Sequence, residues 1–249
     1  MSTALLFLAS LWLAASGTQA DSSPNRLTEE EEAQGWELLF DGKSFEGWGG
    51  LDIDAVKRGF WVIEDDCIKK EDPDLLPVPG DGSERRRVDL FTEETFEDFE
   101  LSFEWKISPG GNSGLKYNVS KEISRPDRNH RARGFEYQVI DDAHYSDRAG
   151  DGIHLTGSLY DLIPAGNKVL KPAGEFNHSV IILKGNHGEH WLNGTKVLEY
   201  DLGTPEMDAL FEKSKFKDLP GFGHKRKGHI VLQDHRDLVW FRNIKIRSL

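Results

Sequence analysis

The sequence predicts an all-β protein, an antiparallel β-sandwich or jelly roll, and three observations carry that prediction. Apolar and polar residues alternate with a period of two in one segment after another, as strands with one face toward a core require. Turn signals separate these segments. The strongest is Asn193-Gly194 between His190-Trp191-Leu192 and Lys196-Val197-Leu198, because both central residues of a type I′ turn need positive φ. Finally, helical patterns do not alternate with the strands, which argues against a parallel sheet built from βαβ units.

In chain order, strands are expected at Trp36–Phe40, Phe60–Glu64, Ile68–Lys70 and Val88–Thr92. Leu101, Phe103, Trp105 and Ile107 then alternate with Ser102, Glu104 and Lys106. Leu115, Tyr117 and Val119 do so against Lys116 and Asn118, and Phe135, Tyr137 and Val139 against Glu136 and Gln138. Val180–Lys184, His190–Leu192, Lys196–Tyr200, Ile230–Gln233 and Val239–Arg247 complete the set, with Lys184-Gly185-Asn186-His187-Gly188 as a turn. Pro205–Phe216 alone reads as helix, with Met207, Leu210 and Phe211 at helical spacing.

The chain has 249 residues, enough to bury a large core. Its 31 Lys and Arg against 43 Asp and Glu give a formal charge of -12, which disfavours nucleic acid and anionic membrane as partners. Arg85-Arg86-Arg87 is diluted by Asp81, Glu84 and Asp89. The single cysteine, Cys67, removes intrachain disulfides and cysteine-based zinc sites. Ala4 to Ala15 is an apolar or small run followed by Thr18-Gln19-Ala20, so residues 1–20 read as a signal peptide, too short for a comfortable membrane span; because Met1-Ser2-Thr3 carries no Lys or Arg, an uncleaved anchor is the alternative. Export to the periplasm or the exterior follows. Residues 21–34 form an acidic tether or short helix, and residues 35–249 a single domain.

Pleating turns this pattern into a functional expectation. With the apolar set facing the core, Glu104, Lys106, Lys116, Asn118, Glu136 and Gln138 face outward, and on a concave sheet that face is a groove. The alternative is ordinary solvated surface. Gly110-Gly111-Asn112-Ser113-Gly114, Asp141-Asp142 and Gln233-Asp234-His235 add polar clusters that favour the groove.

An ordered series of motifs resembles the 3-keto-disaccharide hydrolase family. It runs through Leu39-Phe40-Asp41-Gly42-Lys43, Gly47-Trp48, Phe99-Glu100-Leu101, Gly111-Asn112-Ser113-Gly114-Leu115-Lys116-Tyr117 and Gly134-Phe135-Glu136-Tyr137-Gln138-Val139-Ile140-Asp141. It continues through Gly157-Ser158-Leu159-Tyr160, Lys171-Pro172-Ala173-Gly174-Glu175-Phe176-Asn177, Trp191-Leu192-Asn193-Gly194 and Leu232-Gln233-Asp234-His235. The resemblance spans Trp36 to Leu249 and implies a concanavalin A-like jelly roll acting on carbohydrate. Phe176 stands where Trp is common, and Arg236 where Gly usually follows the His.

The family's name implies cleavage of glycosides carrying a ketone at C3. Such a ketone acidifies the C2 proton, so a carboxylate or imidazole can remove it while the C1 group leaves by β-elimination. The site then needs a base, an acid, and a donor or cation at the enolate oxygen. Glu136 is the first candidate for the base; an ion pair with Lys106 or Lys116 is its structural alternative. His235 is the candidate for acid, base or metal ligand, against a structural loop role. Asn112, Lys116, Gln138, Tyr160 and Gln233 are candidate contacts to sugar or oxyanion, with Lys116 preferred at the enolate for its charge. Asp141 binds sugar hydroxyls or caps a turn. Trp48 and Trp61 stack on a ring or pack in the core. A divalent cation is compatible with this residue set, although no local spacing demands one.

Other chemistries fit less well. Retaining glycosidases of this architecture place two acids at alternate strand positions, whereas this phase reads Glu136, Gln138, Ile140, so a partner such as Glu104 would have to come from another strand. His187-Gly188-Glu189-His190 lacks metallopeptidase spacing, and the Gly110–Gly114 run lacks the P-loop's Lys-Ser/Thr. A non-catalytic carbohydrate-binding module remains the alternative from a different class.

Overall fold

The computed structural model describes residues 23–51, 55–76, 87–124, 132–145 and 152–249. The leader at residues 1–20 and Arg85-Arg86 of the basic patch lie outside the described residues. Among the described residues no helix is long and apolar enough to cross a membrane.

Two antiparallel sheets pack face to face. The larger contains β1 (Glu37–Leu38), β3 (Trp61–Glu64), β4 (Cys67–Lys70), β6 (Phe99–Ile107), β9 (Asn177–Lys184), β10 (His187–Leu192), β11 (Thr195–Asp201) and β13 (Val239–Ser248). Their order is β11-β10-β9-β6-β13-β4-β3, with β1 also on β13. The smaller contains β2 (Trp48–Gly49), β5 (Leu90–Thr92), β7 (Asn112–Val119), β8 (Phe135–Ile140) and β12 (His229–Leu232), in the order β2-β5-β12-β7-β8. This is the expected β-sandwich of jelly-roll type. Each strand expected from alternation is present, and only the two-residue β2 is additional. Asn193 and Gly194 both take positive φ, as the hairpin between β10 and β11 demands.

Helices are short. α1 (Glu29–Ala33) carries a Thr28/Glu31 capping box, α2 (Lys121–Ser124) is a single turn, and α3 (Pro205–Lys213) starts on a Thr204 cap with Pro at its first turn. α3 ends before the expected Phe216, because Ser214 accepts the role of C-cap and the chain turns away extended. The acidic N-terminal stretch is docked on the larger sheet: the backbone N–H of Asn243 donates to Asn25 Oδ1 at 2.8 Å, and Lys245 pairs with Glu31.

The core between the sheets is built from the apolar phase of the strands: Leu101, Phe103, Trp105 and Ile107 from β6 meet Leu115, Tyr117, Phe135, Tyr137 and Val139 from β7 and β8. Trp48 and Trp61 belong to this core, with Trp61 donating to the Val88 carbonyl at 2.8 Å, so neither stacks on a sugar. Polar groups inside the core are paired. His190 Nδ1 donates to the Gly157 carbonyl at 3.0 Å, which leaves Nε2 to accept from Tyr117 Oη at 2.8 Å. Burial holds that imidazole neutral, with a pKa of about 4.

The two outer faces differ. On the larger sheet, Glu104 pairs with Arg242 at 2.7 Å and Glu100 with Arg247 at 2.5 Å, directly across the β6–β13 register, as on an ordinary solvated face. On the smaller sheet the outward set is polar but buried: Asp89, Lys116, Asn118, Glu136 and Gln138. At one end this face carries its own apolar cluster of Leu51, Phe91, Val119, Ala132 and Val231. Val119 belongs to it because Asn118 has φ 55 and the register with β12 shifts there, which reverses the expected phase of the strand end. Asn118 instead ties down a loop, donating to the His224 carbonyl at 2.8 Å and accepting from the Arg226 N–H at 2.6 Å.

Candidate active site

A polar strand face that is buried rather than solvated is costly unless each group is paired or used. Here β7 and β8 place Lys116 and Glu136 directly opposite each other, and Gly114 opposite Gln138. The Lys116 ammonium lies 3.8 Å from Glu136, 3.3 Å from Asp89 and 3.2 Å from the Ala132 carbonyl. Asp89 and Ala132 accept hydrogen bonds from it, and Glu136 is its ion-pair partner. Lys116 is thus the partner expected in the structural reading of Glu136, and Lys106 is not, since Lys106 lies on the other sheet against Phe176 and Trp240. For the same reason Glu104 cannot complete a carboxylate pair with Glu136: the whole core separates them.

Glu136 is 8 % exposed. Burial raises its pKa above the ordinary 4.5, against the opposing charges of Lys116, Lys215 and His235, while Asp89 pushes in the same direction as burial. Gln233 Nε2 donates to both carboxylate oxygens at 3.0 Å. Gln233 follows β12, and its backbone N–H donates to the Gly114 carbonyl at 2.9 Å. Gln138 is buried next to this site and donates to Asn112 Oδ1 at 3.2 Å, and among the described residues Oε1 of Gln138 and of Gln233 meets no donor. Asn112 is held from below as its N–H donates to Asp237 at 3.0 Å.

Two buried aspartates organise the loop after β12. Asp89 accepts from the Asp234 N–H at 2.9 Å and from the Ala132 N–H at 2.8 Å, while Asp234 accepts from the Val88 and Arg236 N–H groups at 2.9 Å each. Lys70 lies 3.7 Å from Asp234, both fully buried. Burial raises the Asp234 pKa and lowers that of Lys70, each opposed by the other's charge. These reciprocal bonds fix Gln233 and His235 on either side of Asp234. His235 is one-third exposed, 3.7 Å from Asp237, and its imidazole acts on the Glu136 charge. Arg236 sits at φ 80, in the left-handed region that favours glycine, which gives the departure from the family pattern at this position a backbone meaning.

Tyr160 borders the site from the segment that covers β8. Its N–H donates to the Glu136 carbonyl at 3.0 Å, and burial followed by the Glu136 charge pushes its phenol up to about 12. Asp141 does not reach into the site. Its carboxylate accepts from the Gly110 N–H at 2.8 Å and the Ala143 N–H at 3.2 Å and pairs with His144, so it caps the turn, one of the two roles expected for it. Phe176 lies under the Arg242 guanidinium on the other sheet, so its departure from the family pattern does not touch this site.

Sequence reading missed Asp89 and Lys215. Asp89 between Val88 and Leu90 breaks an apolar strand, which is a signal in itself. Lys215 carries none, since it follows a helix and joins the site only through the fold. As for metal, one group of three donors exists among the described residues, His187, Glu189 and Glu199 on the β10–β11 hairpin. It is on the larger sheet, and its carboxylates already hold Lys196 and the Trp191 N–H.

Comparison with known proteins agrees with this architecture. Residues 35–247 match the model of the 3-keto-alpha-glucoside-1,2-lyase-like domain. A 3-keto-disaccharide hydrolase of Bacteroides thetaiotaomicron is 36% identical over 237 residues, covering 88% of this chain and 80% of that protein. A Parabacteroides distasonis crystal structure provisionally named a glycosyl hydrolase superposes with a TM-score of 0.77 at 31% identity, covering 91% of this chain and 100% of the other. A second structure from the same organism, of the same provisional name, gives 0.59 at 26% identity over 86% of this chain and 99% of its own. With the family model matched over nearly the whole described chain, the protein belongs to the 3-keto-alpha-glucoside-1,2-lyase-like family.

Proposed function

We propose that the protein cleaves 3-keto-glycosides, with Glu136 as the base that removes the C2 proton. The observation that carries this reading is a carboxylate buried on an otherwise apolar-backed strand, raised in pKa and gripped through both oxygens. Desolvation makes it a stronger base than a surface glutamate, and the Gln233 and Lys116 contacts keep it ionised and oriented. As Glu136 takes the proton, the C2–H electrons pass toward the C3 carbonyl as an enolate. They return to expel the C1–O bond, and His235 supplies the proton to the leaving oxygen. Water then adds its hydroxyl at C1 and passes its proton to His235, and return of the proton from Glu136 to C2 completes a net hydrolysis, one water consumed per glycoside. Asn112, Gln138, Tyr160 and Gln233 line the path as hydrogen-bonding partners for sugar hydroxyls; the unmatched oxygens of Gln138 and Gln233 are suited to accept from them.

The substrate class comes from the family to which the chain belongs and from the name of the Bacteroides thetaiotaomicron relative. The apolar leader fits a protein exported to meet such glycosides. The test compares a chromogenic 3-keto-glucoside with its unoxidised parent, with and without chelator. Release from the keto compound alone is the expected result. Release from the parent supports a conventional glycosidase, and binding without release a carbohydrate-binding module.

A further inference from the structure

The elimination leaves one requirement unmet. Charge develops on the C3 oxygen in the enolate, and the lysine that the sequence favours for it, Lys116, is buried, hydrogen-bonded to Asp89 and the Ala132 carbonyl, and ion-paired with Glu136 at 3.8 Å. A cation that serves the enolate must stand by the same carboxylate with its donors free.

Lys215 meets that description. Its ammonium lies 3.9 Å from the centre of the Tyr160 ring and 5.1 Å from that of Phe216. Tyr160 is bonded through its backbone to Glu136, and the Glu136 charge acts on both the Tyr160 phenol and the Lys215 ammonium held over its ring. The backbone holding Lys215 is itself fixed: its N–H donates to Asp161 Oδ2 at 2.8 Å, and the other oxygen of Asp161 meets His154 Nε2 at 2.8 Å. Among the described residues no acceptor hydrogen-bonds or ion-pairs with the Lys215 ammonium. The side chain is reached by solvent, yet protein surrounds it closely enough to lower its pKa by burial, against the charges of Glu136 and Asp161. Exposure and crowding together describe a cation at the solvent boundary of the site. The charged groups acting on it are Glu136, Asp161, Lys116 and Arg133.

We propose that Lys215 is the catalytic cation of this site, donating to the C3 oxygen as the enolate forms. The assignment rests on the elimination reading above. It explains why an ammonium is held over an aromatic face beside a buried carboxylate without being bonded to it: the donors stay directed at substrate.

The test uses the chromogenic 3-keto-glucoside with wild type, Lys215→Met and Lys215→Cys, the last before and after alkylation by 2-bromoethylamine. In that step the thiolate displaces bromide and leaves a thioether analogue of lysine, with the ammonium restored. Cys67 does not interfere, since it is buried and its thiol is pushed up to about 11. The expected result is a kcat about 10²- to 10³-fold lower in Lys215→Met, as for loss of an oxyanion donor, with KM little changed and the thermal midpoint that of wild type. Lys215→Cys should be equally slow and should recover on alkylation. The acid limb of kcat/KM should move upward in Lys215→Met, because the groups left facing Glu136 are Lys116, His235, Asp89 and Tyr160 and one favourable charge is gone. A wild-type kcat in Lys215→Met, with Glu136→Gln inactive, overturns the assignment to Lys215 alone. A wild-type enzyme without action on the keto compound overturns the elimination reading and this assignment with it.

Discussion

Gln233 donates one side-chain nitrogen to both carboxylate oxygens of Glu136, and it does so across an intervening strand. Gln233 follows β12 and Glu136 lies on β8, with β7 between them. The residue beneath the link is Gly114. A Cβ built there would stand 2.8 Å from Glu136 Oε1 and 3.0 Å from its Cγ, so the absence of a side chain is what lets the two meet. The glycine at the end of Gly110-Gly111-Asn112-Ser113-Gly114 thus serves the carboxylate, not a phosphate.

Gly114→Ala should therefore displace Glu136. The neighbour has to move by several tenths of an ångström inside a packed site, at about 1–3 kcal/mol. The expected outcome is a lower thermal midpoint together with a loss of kcat larger than that of KM, read from denaturation and steady-state kinetics on the same preparation. Unchanged kinetics would mean that the Glu136 position is not critical.

Glu136→Gln keeps the shape and removes the base. Turnover should fall by about 10²- to 10⁴-fold, the usual share of a general base, while the affinity for the intact keto-glycoside, measured by calorimetry on the inactive variant, stays close to the wild-type KM. Loss of affinity in step with turnover would favour a binding role for this residue.

The pH dependence follows from the raised Glu136 pKa. Between the ordinary 4.5 and its folded value the native state holds a proton that the unfolded chain has released. Its contribution to stability is therefore present below 4.5 and is lost as pH rises through the folded pKa. Asp234 has the same sign. The thermal midpoint of Glu136→Gln relative to wild type should accordingly be higher at pH 7 than at pH 4. The acid limb of wild-type kcat/KM should lie above the range of a surface glutamate.

Asp89→Ala should be among the most damaging substitutions. It strips a buried carboxylate from Lys116 and from the Asp234 and Ala132 amides at once, and breaking such a pair costs about 3–5 kcal/mol. Asp89→Asn is the informative partner. It removes a negative charge that raises the Glu136 pKa, so the acid limb of kcat/KM should move down, opposite to the shift expected for Lys215→Met.

How far the site was legible in the sequence depends on the range of the interaction. Alternation along β8 assigns Glu136 and Gln138 to the face opposite Tyr137, and the structure places them there, because the pleat is a local property. Alternation is silent on which sheet a strand joins, so Glu104 and Lys106 read like members of the same face although they stand behind the core from it. It is silent, too, on what covers a face: the segments bearing Ala132, Tyr160 and Lys215 turn an expected open groove into a buried polar floor. Lys116 shows the cost of reading charge without partners, since its commitment to Asp89 depends on a strand 27 residues away.

The most direct test of the central claim is the rate of aglycone release from a 3-keto-glucoside deuterated at C2, compared with the protiated compound. Removal of that proton by Glu136 predicts slower release from the deuterated sugar, a primary isotope effect on kcat/KM, with Glu136→Gln inactive on both. Equal rates with the two sugars, with release still dependent on Glu136, would contradict proton abstraction at C2 and return the carboxylate to a conventional glycosidase role.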